Sequence, residues 1–214
     1  MMKNFTILLL IVICFFKTEN LYAWDCSDKK SNPLVFFHIY PKDIRYDHKK
    51  SPSEFPAKPY ATTMGLTVSQ FNYGITAEAK VETVGNRTCT TLSRVDFTFG
   101  FPRIDVYIDK KYKKGTCNYN VIKEHEDYHV RVQMEGLKAF ENTIKKGVRI
   151  AAGNVKPVSG NNGNINQIVN GFVKQIKADI QPLINYVDEK LKEKNAVIDT
   201  PQSYADETKK CPKW

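Results

Sequence analysis

The sequence predicts a single α+β domain, on three observations. Between residues 32 and 109 the apolar positions are β-branched or aromatic and tend to alternate with polar ones. After Gly115 the apolar period lengthens to about 3.6 residues. The two patterns do not interleave, so strands come first and helices afterwards, which separates the chain from alternating βαβ folds. The expected organisation is an antiparallel β-rich half over residues 32–109, two long helices over 118–195 and a tail over 196–214.

Residues 1–23 are set apart from the fold. Lys3 precedes an apolar run over residues 7–16, and Leu21-Tyr22-Ala23 closes the segment on a small residue. That is the pattern of a secretory signal peptide cleaved after Ala23, and the run is too short to span a bilayer. Ile11, Val12 and Ile13 precede Cys14 where a lipoprotein acceptor needs small residues. No second apolar stretch approaches membrane-spanning length, so residues 24–214 are expected to form one domain in a secreted or periplasmic protein, with no membrane contact after cleavage.

The expected strands are residues 34–39, 66–71, 75–84, 88–99 and 104–108. Breakers sit between them: Pro52, Pro56 and Pro59, then Gly74, Gly85-Asn86, and Gly100-Phe101-Pro102. Val95, Phe97 and Phe99 share one face, and Arg94, Asp96 and Thr98 the other. The first helix carries a stripe of Val121, Ile122, His125, Tyr128, His129, Val132, Leu137, Phe140 and Ile144, with Asn118 or Asn120 as cap. A Gly/Asn-rich loop follows. The second helix repeats apolar residues from Ile165 to Leu191, and Pro182 inside it predicts a kink. The tail has no clear period.

Four cysteines remain in residues 24–214: Cys26, Cys89, Cys117 and Cys211. An even number without a C-x-x-C pair reads as two disulfides in an exported chain, with three pairings open. Cys117–Cys211 with Cys26–Cys89 is preferred, because the first bridge would pin the tail beside the start of the first helix. The chain carries +9; Lys3, Lys17 and Glu19 contribute +1 of it, which leaves +8. Its lysines are spread out and no nucleic-acid motif accompanies them, so no specific nucleic-acid partner is expected. A basic module that binds an anionic envelope polymer is the non-enzymatic alternative.

The chemistry is concentrated in "KEHEDYH", residues 123–129. His125 and His129 at i and i+4 lie on one helix face, where two imidazoles can reach one Zn²⁺. Glu126 is turned by about 100° from His125 and can face a metal-bound water as general base. This is the H-E-x-x-H arrangement of zinc hydrolases, and a peptide or protein would be the substrate. Strand 104–108 precedes the helix as the edge strand of a zincin-type peptidase cleft would. Glu135 stands where a metzincin would carry its third histidine, which excludes that group. A competing reading also fits the charges: Lys123–Asp127 and Asp127–Arg131 are good i, i+4 ion pairs for a solvated helix. A closed metal site without hydrolysis is a further alternative.

The third ligand is open. Glu141 lies about 18 Å along the helix axis from His129, Asp179 sits on the second helix, and the tail offers Asp199, Asp206 and Glu207 beside Tyr204. Asp199 is preferred over Glu207, with Tyr204 as an oxyanion donor. His38, in an apolar strand, is read as a core histidine, and His48 as a surface loop residue.

With these residues placed, the chain resembles a set of exported bacterial proteins grouped as domain of unknown function 922 and described as zinc-dependent proteases. The resemblance spans residues 66–211 and rests on the signal peptide and Cys89 in the β-rich half. It rests also on "GTCNYNVIKEHEDYH" with Cys117 upstream of the motif, and on an aspartate-containing tail. It implies a zincin-like domain with His125 and His129 as ligands and Glu126 as base. The family's tail pattern, Tyr-Asp-x-x-Thr-x-His-Gly, places Asp199 at its aspartate, Ile198 at its tyrosine and Tyr204 at its histidine.

Overall fold

The computed structural model describes residue 26 and residues 29–56, 64–160 and 164–214. The signal-peptide segment, residues 1–23, lies outside the described residues.

The fold is α+β, with two sheets followed by helices. In the larger sheet β4 (Asn72–Val84) and β5 (Arg87–Gly100) form a long antiparallel hairpin closed by Gly85-Asn86. Gly85 has φ 60°, a value the two-residue hairpin turn asks for and which glycine adopts without a Cβ penalty. On the other flank of β5 lie β1 (Leu34–Ile39) and, further along, β7 (Val158–Gly160). The smaller sheet has the order β2-β6-β3, from β2 (Ile44–Asp47), β6 (Ile104–Ile108) and β3 (Gly65–Ser69).

Two sequence expectations change here. The β-rich half is mixed rather than antiparallel: β1 runs parallel to β5 and β2 parallel to β6. Period-two patterning says which face is buried and nothing about strand direction. Strand β6 is also central among the described residues, with β2 and β3 at the two edges of the small sheet. The short β2, with two of four residues exposed, carries too little pattern to be recognised, so β6 reads as an edge from sequence.

Helices α1 (Cys117–Gly153) and α2 (Ile165–Ala196) cover the inner face of the larger sheet. Val95, Phe97 and Phe99 of β5 are fully buried against Phe172, Ile176 and Ile180 of α2 and Ile144 and Val148 of α1, in one hydrophobic cluster. Burial of this kind is the main driving force for folding. Pro182 lies inside α2. The cap of α1 is Thr116, whose side chain accepts a hydrogen bond from the Tyr119 backbone N–H. Asn118 and Asn120 are already inside the helix, because a threonine one residue before Cys117 satisfies the first free donor.

Three smaller differences follow from which face each residue meets. Tyr128 points outward, and Gln133, not expected on the inner stripe of α1, is buried. His38 is exposed on the outer face of β1 and pairs with Asp96, because Val35 and Phe37 take the inner positions of that strand. Asp127 is held by Lys123 and by the Tyr46 hydroxyl at 2.7 Å, while Arg131 lies over the Tyr128 ring instead of pairing with Asp127. His48 is exposed, as expected.

Both expected disulfides are formed, Cys26–Cys89 and Cys117–Cys211. No helix among the described residues is long and apolar enough to cross a membrane. The tail, expected to lack periodic structure, contains a third helix, α3 (Pro201–Thr208), capped by Thr200 with Pro201 in its first turn.

Candidate metal centre

Ile122, His125, Glu126 and His129 follow one another on one face of α1 and are all buried. That face meets the small sheet and the tail. Strand β3 crosses it so closely that Gly65 leaves no space for a side chain: an added Cβ would stand 2.5 Å from Glu126 Oε1. Thr67, two residues further along β3, donates its hydroxyl to Glu126 Oε2 at 2.7 Å. Glu126 is therefore fixed from the strand side and is only 4% exposed.

The remaining groups arrive from the junction of α2 and α3. Asp199 stands between the two helices, its backbone N–H donating to Ala196 O. Its Oδ1 lies 3.2 Å from His125 Nε2 and 3.2 Å from His129 Nε2. The two Nε2 atoms are 3.0 Å apart. Around this triangle, His125 Nδ1 meets Glu207 Oε1 at 2.7 Å and His129 Nδ1 meets Asn195 Oδ1 at 3.0 Å. Tyr204 donates its hydroxyl to Asp199 Oδ1 at 2.7 Å, and its ring lies 5.3 Å from that of His125. The tail is tied down beside the start of α1 by Cys117–Cys211 and by Asn118 Nδ2, which donates to Lys213 O at 2.6 Å.

This arrangement could hold a cation. With a metal bound, Nδ1–H groups donated to Glu207 and to Asn195 Oδ1 would leave each Nε2 lone pair turned inward. Two lone pairs and a carboxylate oxygen then share one triangle. The His125–His129–Asp199 group can hold a metal ion: its donor atoms lie within 4.8 Å of one another. Without an ion, the site draws protons onto its histidines. Burial opposes a charge on His125, but Asp199 and Glu207 outweigh it and hold its pKa up to about 9. For His129, too, burial is outweighed, by Asp199 and Asn195, and the pKa rises. Burial works against the Asp199 carboxylate, yet its bonds to His125, His129 and Tyr204 keep it ionised far below the usual range. Glu126 goes the other way: burial raises its pKa in spite of Thr67 and the two histidines.

Glu126, His125, Asp199 and Tyr204 line a cavity of about 920 Å³ that also reaches Gly65, Glu207 and Trp214. The sequence-selected residues thus meet in one place, except for Glu141, Asp179 and Asp206. Glu141 is paired with Lys145, Asp206 with Lys209, and Asp179 is exposed on α2. Glu207, weighed as a ligand, instead orients His125 through the nitrogen that faces away from the triangle. Thr67, Asn195 and Gly65 escaped sequence reasoning, because a single polar residue or glycine in a strand or at a helix end carries no spacing signal. Comparison of the chain with protein-family models, with curated proteins and with solved structures gives no match. Its function has to be read from the chemistry of the site.

Proposed function

We propose that the protein is an exported zinc-dependent hydrolase, acting on peptide bonds. One observation carries the reading: a buried, strand-held Glu126 directly adjoins three converging donors on an open cavity. Two imidazoles and one carboxylate are the donor set of catalytic zinc sites, which leave the fourth position free. The spacing is compatible with zinc. Ligands at about 2.05 Å in tetrahedral geometry are about 3.3 Å apart, close to the 3.0 and 3.2 Å edges of this triangle.

When bound, zinc supplies a Lewis acid that polarises a carbonyl and acidifies water. The chain's own residues do the rest. Glu126, its pKa raised by burial, takes the proton of the attacking water and returns it to the departing amine. Thr67 keeps that carboxylate aimed. Glu207 and Asn195 fix the ring orientation of the two histidines, as outer hydrogen bonds do in metal sites. Tyr204 keeps its proton, because burial and Asp199 raise its pKa, and on turning away from Asp199 its hydroxyl would donate to an oxygen on which charge develops. Strand β3 supports a peptide substrate, since among the described residues it pairs only with β6 and its other edge is available to an extended chain.

Export is supported by the signal-peptide pattern and the two disulfides. The position of Asp199 at the tail aspartate supports placing the chain near the domain of unknown function 922 proteins. The test is cleavage of unfolded protein substrates by the zinc-loaded chain. Glu126→Gln is expected to retain zinc and to lose about 10²- to 10⁴-fold in rate. Failure of the zinc-loaded wild type to cleave any peptide bond, or full activity in Glu126→Gln, would overturn the proposal.

A further inference from the structure

The cavity that opens on Glu126 changes character away from the candidate metal centre. There its wall is built by Met64, Ile122, Pro201 and the indole of Trp214. Met64 immediately precedes Gly65, and Ile122 lies one turn before Glu126 on α1, so the apolar wall begins beside the carboxylate. Met64 is fixed: its carbonyl accepts the Asp109 N–H at 2.9 Å, and its side chain packs on the small cluster of Ile108, Tyr119 and Ile122. Trp214 is fixed as well. Its Nε1 donates to Thr208 O at 2.6 Å, and its ring meets that of Tyr112 edge to face, with centroids 6.0 Å apart. Even so, Trp214 stays 42% exposed. An indole anchored at its nitrogen and by a neighbouring ring, yet left open on a cavity wall, is a preformed contact surface.

We propose that this wall binds a large apolar side chain of the substrate beside the scissile bond, phenylalanine foremost, and that Trp214 and Met64 are the specificity-determining residues. The inference rests on the peptide-hydrolase reading and names its substrate class. An aromatic ring gains twice here. Paired rings attract one another beyond the area they bury, and a thioether sulfur makes favourable contacts with an aromatic ring. Charged side chains are poorer ligands, because the charged groups on the cavity are already engaged. Glu126 is held by Thr67, Asp199 by the two imidazoles, and Glu207 by His125 Nδ1. Lys111, on the same cavity, lies 3.8 Å from Asp109 and over the Tyr112 ring. A substrate ammonium or carboxylate would lose its water against the apolar wall and gain little in return.

The experiment offers a randomised peptide mixture to the zinc-loaded full-length chain. Products cleaved by the wild type and, separately, peptides retained by Glu126→Gln are sequenced. The expected result is a preference for phenylalanine over alanine of about tenfold or more at one position. Trp214→Ala and Met64→Ala each lower that preference by about threefold or more, with zinc stoichiometry unchanged. Where one of these variants fails to fold, the other decides. Indole emission gives a readout that needs no turnover. A phenylalanine peptide shifts it on binding to Glu126→Gln and an alanine peptide does not, and adding Trp214→Phe removes the shift while keeping the preference. If retained peptides show the preference but the wild type cleaves nothing, the hydrolase reading fails and the pocket assignment stands. Flat retention, an emission that responds to neither peptide, or a preference that survives both alanine variants overturns the proposal.

Discussion

On its β3 side Glu126 leaves no room for an added atom. A Cβ at Gly65 would approach its Oε1 to 2.5 Å and its Cγ to 2.9 Å, with Ile122 Cγ2 at 2.7 Å. Those neighbours are packed in the site and have little freedom to give way. Gly65→Ala is expected to displace the carboxylate, leave zinc stoichiometry unchanged and lower kcat by about tenfold to a hundredfold, the scale of a 1 Å misplacement. Unchanged kcat would mean that Glu126 is not positioned by this strand. The histidines give a pH dependence. With its pKa held up to about 9, His125 is protonated in the metal-free protein at neutral pH, and a metal must displace that proton. Zinc affinity should thus rise with pH and level off near 9. For the metal-free protein the sign is opposite. The raised pKa contributes stability that is full below the unfolded value of 6.5 and is lost as pH rises through about 9. Zinc titrations and melting curves across that range check both trends, and a flat affinity would contradict them.

At the scale of elements, helix α3 is the part that most needs explaining. It buries none of its residues, yet it presents Tyr204 and Glu207 to the candidate metal centre. Its order comes from the Thr200 cap, from the polar contacts of the site and from Cys117–Cys211. The sequence separation of that bridge is 94, for which chain entropy alone is worth about 4–5 kcal/mol. Replacing both cysteines by serine is expected to cost stability on that scale in denaturant unfolding. It should also weaken zinc binding by tenfold or more, about 1.4 kcal/mol. Removing Cys26–Cys89, remote from the tail, should destabilise without that loss of affinity. Equal zinc affinity in both variants would show that the tail needs no tether. The same contrast explains what was legible beforehand. Helices α1 and α2 could be read because apolar residues recur on the faces they bury, and β5 because Val95, Phe97 and Phe99 alternate. H-E-x-x-H fixed the two histidines and Glu126 by spacing alone. Strands β2 and β7 are short and largely exposed, and α3 is ordered by a covalent tie, so none of them leaves a period to detect. Parallel pairing and the polar partners Thr67 and Asn195 depend on contacts between distant segments.

Across the whole molecule, folding and function use different faces. The larger sheet and both long helices share the main hydrophobic cluster, and its aromatic centre at Phe97 and Phe99 is sealed. The candidate metal centre lies on the neighbouring face of α1, where the small sheet and the tail close over it. One rigid helix thus joins the core to the chemistry, a placement that suits a site needing fixed geometry. The surface charge of +9 over the full chain is compatible with this role without defining it. The most direct test is zinc-edge X-ray absorption with metal analysis on the purified chain and on Asp199→Ala. The wild type should bind one zinc with two imidazole nitrogens at about 2.0–2.1 Å and a carboxylate oxygen, and Asp199→Ala should lose that oxygen and bind more weakly. A wild type that takes up no zinc, or a coordination shell unchanged in Asp199→Ala, would contradict the metal centre at His125, His129 and Asp199.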